Sequence, residues 1–188
     1  MAFRLARVVT GFIEENCYVL LAEGREDCLV IDPGDDADEI RKAAEGRRIA
    51  AILLTHGHFD HIGAVSALAE EGTEILIHEA DAPMLTDGKL NAGWLASLRV
   101  TAPAATRTFR GGDCLRLAGI SLQVIHTPGH TPGSCCFLAE DDVLFTGDTV
   151  MAGGVGRTDL PGGSEEQLRE SLRLLRPYLR TCTVLGGH

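Results

Sequence analysis

The sequence has 188 residues, 45% hydrophobic and 23% charged, with a formal net charge of -10 at neutral pH. This size and balance describe one ordinary globular domain, expected to span 1-188, with an aliphatic core because the chain holds only six Phe, two Tyr and one Trp. The acidity argues against nucleic acid as the main partner, since phosphate binding calls for a basic face, and no apolar run reaches the roughly 18 residues of a membrane helix.

In chain order, apolar runs at 3–9 and 17–21 read as strands joined by a turn at Glu14, Glu15 and Asn16, and 28–31 reads as a third strand closed by Asp32-Pro33-Gly34. Asp36 with Glu39 three residues on predicts a helix start, with Ile40, Ala43 and Ala44 on one face and Gly46 as the stop. A buried strand at 49–54, a helix at 62–70 and a strand at 74–77 follow, a succession typical of α/β crossovers. Residues 79–105 are irregular, and Trp94 within them is expected to serve either as the apolar wall of a lid or as plain packing. Short strands at 107–109, 114–117, 120–125, 134–138 and 143–145 make a meander with turns such as Glu140-Asp141-Asp142. Ser164 and Gln167 form a capping box for a helix with Leu168, Leu172 and Leu175 on one face, ending near Pro177, and 181–185 is a last strand. With no linker, repeat or low-complexity segment, the element order suits two sheets packed face to face with helices on both outer surfaces.

The six cysteines form no C-x-x-C pair and sit mostly in apolar runs, where a free thiol is a small hydrophobe. The sequence opens without a basic segment and apolar stretch of signal type, so a cytoplasmic location is the expectation.

Chemistry concentrates at 55–61, Thr-His-Gly-His-Phe-Asp-His, where three of the seven histidines and one aspartate fall together. Chance matches to H-x-H-x-D-H in a chain of this composition number on the order of 10⁻³, so a merely solvated loop is a poor explanation. His56 and His58, two apart on an extended segment, project to one side and can bind one metal ion, with Gly57 keeping the approach clear. Asp60 and His61 come where the chain should turn into the helix and point toward a second ion. Further donors follow strands: His126 and His130 around Thr-Pro-Gly, Asp148 in Phe-Thr-Gly-Asp-Thr, and His188. Strand ends that converge on one sheet edge would gather them. His126 and His78, each taken alone, read as hydrogen-bonded structural residues. Arg157 and Asp159, in a Gly-flanked turn, read as supports for their neighbours.

These motifs, with Gly156-Arg-Thr-Asp-Leu-Pro-Gly-Gly163 and the final Gly187-His188, make the sequence closely resemble the metallo-β-lactamase-fold hydrolases, in their glyoxalase II-like branch. The resemblance spans essentially the whole chain and implies a four-layer αββα sandwich within the α/β class. It implies that His56, His58 and His130 hold a first metal, that Asp60, His61 and His188 hold a second, and that Asp148 bridges them, with His126 outside the ligand set. An Asp at 148, where many β-lactamases of this fold have Cys, and the absence of a signal segment weigh against antibiotic hydrolysis. The helical domain that binds the glutathione part in full glyoxalase II enzymes has no counterpart here, so the acyl group and the thiol stay open. His188 closes the sequence, and a terminal residue is expected to fray and to leave the second position less secure.

The expected function is metal-assisted hydrolysis of a small-molecule thioester of glutathione type. Two divalent ions, zinc first with iron or manganese also compatible, bring a bridging water toward hydroxide at neutral pH, and Asp60 and Asp148 are the catalytic carboxylates that orient it. The rival expectation is a persulfide dioxygenase of the same fold, with one iron on the first position. No membrane or nucleic-acid partner is expected, and the oligomeric state stays open.

Overall fold

The computed structural model describes residues 3–140 and 142–188; Asp141 of the predicted acidic turn lies outside the described residues. One sheet takes six strands in chain order: β1 (Phe3–Thr10), β2 (Glu15–Ala22), β3 (Asp27–Ile31), β4 (Arg48–Leu53), β5 (Glu74–His78) and β6 (Arg107–Phe109). β1, β2 and β3 pair antiparallel, and from β3 onward the pairing is parallel because helical crossovers intervene. The other sheet runs β7 (Cys114–Leu117), β8 (Ile120–His126), β9 (Cys135–Ala139) and β10 (Val143–Gly147) as an antiparallel meander, and β11 (Thr183–Gly186) adds to β10 in parallel.

Alternation along the strands sorts the apolar side chains into layers. Leu20, Leu29, Leu53 and Leu76 of the first sheet meet Leu122, Val124, Phe137 and Phe145 of the second in one buried cluster. The opposite faces of the same strands, Val19, Val30 and Ile52, pack on Ile40 of α1 (Ala37–Ala43) and on Val65 and Leu68 of α3 (Val65–Leu68). On the far side, Ile125, Cys136 and Leu138 meet Leu175 of α5 (Glu165–Leu175). Helix, sheet, sheet, helix is the αββα order expected above. β2 and β9 are covered on both faces, which is why they read as unbroken apolar runs.

Several local expectations need correction. Glu15 and Asn16 belong to β2, and the turn is Gly11 to Glu14, with Gly11 and Glu14 both at positive φ. α1 does start at Asp36, its N-cap residue, but the side chain makes no capping bond; its carboxylate accepts from the Gly11 amide at 2.8 Å and so ties the helix start to the hairpin tip. The helix placed at 62–70 starts earlier and breaks, as α2 (Phe59–Ile62) and α3. The break sits where Gly63 presses on the Gly34 carbonyl, at which a Cβ would come within 2.2 Å, and where the Ala64 amide donates to the Pro33 carbonyl. The chain between β5 and β6 forms α4 (Ala82–Thr86) and a 3-10 turn (Gly93–Ala96). α6 (Tyr178–Thr181) takes the start of the predicted last strand. The capping box is half formed: the Gln167 amide donates to Ser164 Oγ. No helix among the described residues is long and apolar enough to cross a membrane.

Candidate metal centre

Strand ends from both sheets meet along one edge of the sandwich. β4 leads into His56, His58, Asp60 and His61; β8 leads toward His130; β10 delivers Asp148, and its parallel neighbour β11 delivers His188. The structure thus brings the seven sequence-selected side chains together.

Three histidine nitrogens converge at one point: His130 Nε2 lies 2.9 Å from His58 Nδ1 and 3.2 Å from His56 Nε2. Asp60 Oδ2 lies 3.4 Å from His188 Nε2 and 3.8 Å from His61 Nε2, which makes a second cluster. Asp148 stands between the two. Its Oδ2 is 3.5 Å from His130 Nε2, while its Oδ1 is 3.3 Å from His61 Nε2 and 3.7 Å from His188 Nε2.

The ring orientations are fixed from behind. His130 Nδ1 donates to the Arg157 carbonyl at 2.7 Å. His56 Nδ1 is 3.0 Å from Thr55 Oγ1, whose own hydrogen goes to Asp32 Oδ2 at 2.6 Å, so the imidazole is the donor. His61 Nδ1 donates to Asp32 at 3.1 Å. His56 and His130 therefore spend their N–H on a partner behind them and present a bare Nε2 to the centre, where His58 turns its Nδ1. Gly186 and Gly187 are held as firmly. Tyr18 Oη and Asn16 Nδ2 donate to the Gly186 carbonyl at 2.6 and 3.1 Å, and the Asn16 amide donates to the Gly187 carbonyl at 2.7 Å. These bonds fix the backbone that leads to His188, whose side chain is 22% exposed.

Donor chemistry tests whether a cation fits. Two bare imidazole lone pairs facing each other at 3.2 Å, as between His130 and His56, repel unless a positive charge lies between them. Ligands 2.0–2.1 Å from one tetrahedral ion stand about 3.3 Å apart, close to these separations. His61 Nε2 and Asp148 Oδ1 are buried without a hydrogen-bond partner among the described residues, a costly state that a metal relieves. Nitrogen and carboxylate donors of this kind suit zinc, iron or manganese.

Electrostatics divides the cluster. Burial pushes His56 well below its usual range, and burial with His130 nearby pushes His58 down to about 3, which keeps both neutral and able to ligate. Burial would also depress His61, but Asp148 and Asp60 lift it well above the ordinary imidazole value. Against the upward push of burial, His61 holds Asp60 and Asp148 below the usual carboxylate range. Carboxylate charge is therefore gathered on the His61 side of the cluster.

A cavity of about 610 Å³ opens onto both clusters, with Phe12, Ile13, Leu95 and Val155 as its apolar walls. Trp94 is not among its lining residues and stands half exposed; Leu95 faces the cavity instead. Gly57 does not serve to clear the metal's approach. A Cβ there would strike Met84 of α4 at 2.6 Å, so the glycine lets the ligand loop lie against that helix. His126 stacks on His78 with ring centroids 4.2 Å apart, outside the cluster. Arg157 and Asp159 form an exposed ion pair at 2.6 Å.

Three supporting acids escaped the sequence reading. Asp32 directly follows a buried strand, a position like that of Asp148, and that was its available signal. Glu15 was hidden by its assignment to a turn; it is buried beside His61, 3.7 Å from Nδ1. Asp81, buried near α4, carried no motif.

The family model described as Metallo-beta-lactamase superfamily matches residues 10–188. Among curated relatives, a "Probable metallo-hydrolase YqgX" of Bacillus subtilis is 37% identical, over 97% of this chain and 88% of its own length. "Hydroxyacylglutathione hydrolase GloC" of Haemophilus influenzae is 35% identical over 96% of this chain and 87% of its own. The solved structure of the BLEG-1 B3 metallo-beta-lactamase superposes with a TM-score of 0.89 at 32% identity, covering 98% of this chain and 91% of that one. TTHA1623 in a di-iron-bound form gives 0.84 at 36% identity, with 97% and 91% covered. ETHE1 from Myxococcus xanthus gives 0.77 at 28% identity, with 100% and 76% covered.

Proposed function

The chain belongs to the metallo-beta-lactamase superfamily of metallo-hydrolases, and from that premise we propose that it hydrolyses a thioester of glutathione type at a two-metal centre. The observation that carries the reading is the placement of Asp148, whose two oxygens face the two clusters separately, Oδ2 toward His130 and Oδ1 toward His61 and His188. The likeness to a hydroxyacylglutathione hydrolase supports the choice of substrate class. His56, His58 and His130 are assigned to the first ion, Asp60, His61 and His188 to the second, and Asp148 to both.

When bound, a pair of divalent ions supplies an activated water at neutral pH and polarises the thioester carbonyl. Asp148 fixes the spacing of the two positions and Asp60 orients the attacking water. Asp32 holds His61 from behind while Thr55 relays the same carboxylate to His56, so one buried acid aligns a ring in each cluster. Phe12, Ile13, Leu95 and Val155 shield the acyl chain from water. The departing thiol, with an ordinary pKa of about 8.5, leaves as thiolate without needing a general acid.

The test is turnover of a glutathione thioester by the zinc- or manganese-loaded protein. Asp60→Ala should lose on the order of 10²-fold or more in kcat while its circular dichroism and melting transition persist; full activity in that variant, or faster hydrolysis of a β-lactam than of any thioester by the parent protein, would overturn the reading. A mononuclear iron persulfide dioxygenase is the second reading, favoured by the likeness to ETHE1. Oxygen uptake with glutathione persulfide by the iron form distinguishes it.

A further inference from the structure

We propose that Asp81 is the positioning residue of the three-histidine metal position, joining the two loops that supply its ligands. Asp81 sits just ahead of α4, where an aspartate ordinarily caps the helix, yet its side chain makes no bond to that helix. It is fully buried and turned toward the ligand loops instead. Oδ2 accepts the Thr131 hydroxyl at 2.6 Å and the Gly57 amide at 3.2 Å, and Oδ1 accepts the Gly133 amide at 2.7 Å.

Gly57 lies between His56 and His58, and Thr131 follows His130. One carboxylate therefore grips the backbone between the first two ligands and the loop of the third. The two loops leave different sheets, β4 in one and β8 in the other, and a backbone bond between them, from the Cys135 amide to the Thr55 carbonyl at 2.9 Å, lies at their bases, outside the reach of the ligand residues themselves. The Gly133 loop is shaped to admit the acid, since a Cβ on Gly133 would come within 2.6 Å of Asp81 Cγ; a Cβ on Gly57 would meet Met84 at 2.6 Å and the Asp81 backbone carbonyl at 3.3 Å, so the first loop lies flat against the start of α4. A buried carboxylate is expensive unless its lone pairs are satisfied, and here every partner is a donor. An amide in its place meets a conflict in either orientation, because its NH2 faces the amide of Gly57 or that of Gly133. Asp81 touches none of the three imidazoles, so its effect on them passes through the backbone.

The inference rests on the metal reading above, and zinc titration of the metal-free protein against a chromophoric chelator separates the two. Two zinc steps are expected in the parent protein. Asp81→Asn should weaken one step about 10- to 100-fold, the usual range for a partner of a ligand, and leave the other within about twofold. Thr131→Val should weaken the same step by a smaller factor, and Thr131→Ser, which keeps the hydroxyl, should restore it. That pair decides the matter if Asp81→Asn does not fold. Unchanged zinc steps in the variants, or both steps weakened equally in proportion to lost stability, would overturn the role of Asp81 alone. No zinc step in the parent protein would overturn the metal reading and this inference with it.

Discussion

The two halves of the cluster are built in different ways. On the His56, His58 and His130 side, nitrogens of His58 and His56 lie 2.9 and 3.2 Å from His130 Nε2, and the rings are supported from behind by Thr55, the Arg157 carbonyl and the Asp81 clamp. The Asp60, His61 and His188 side is wider, with nearest separations of 3.4 and 3.8 Å, and it carries carboxylate charge. Its last member depends on β11 and on the grip of Asn16 and Tyr18 from the other sheet. Preorganised imidazole donors favour retention of one ion, whereas the charged, partly exposed side draws its affinity from electrostatics and from a strand end. The difference teaches that one short motif feeds two sites of unequal rigidity.

Removing the residue common to both halves should have the largest effect. Asp148→Ala is expected to lower kcat on the order of 10³-fold or more, the equivalent of several kcal/mol of charge stabilisation, and to weaken both ions in a metal titration. Equal metal content in that variant would break the idea that the halves share an anion. His188→Ala should act on one half only: metal content measured by plasma mass spectrometry should fall to about one ion per chain, with the melting temperature of the metal-free protein unchanged. Loss of both ions would erase the contrast between a rigid and a dependent position. Tyr18→Phe sharpens the contrast with the smallest change. It deletes the 2.6 Å bond to the Gly186 carbonyl, worth about 0.5–1.5 kcal/mol, and should weaken one zinc step about two- to tenfold while the other stays put.

The layered fold was legible because the unbroken apolar runs of β2, β3 and β4 and the helix spacing of Leu168 and Leu175 are local signals. The metal-directed residues stood out because histidines and acids just past buried strands have little other reason to be there. What escaped was contact at long range. Asp81 meets Thr131 across 50 residues and Tyr18 meets Gly186 across 168, and neither pair leaves a pattern within a window of the sequence. The start of the second helix was misplaced for a related reason. Phe59, Asp60 and His61 read as a loop of ligands, yet the Phe59 amide donates to the Asn91 carbonyl and Gly63 fits against Gly34, tertiary contacts that set the helix early and then break it. Trp94 stood out as the single tryptophan, but being rare did not mark it as part of the cavity wall.

The central claim, that a bridging Asp148 joins two metal positions in a hydrolase, is tested most directly by counting metal per chain in the protein as purified and as reconstituted from the metal-free form. Two divalent ions per chain, accompanied by thioester turnover, is the result expected. A single iron per chain that no added zinc or manganese raises to two, in a protein that consumes oxygen with a persulfide, would contradict it.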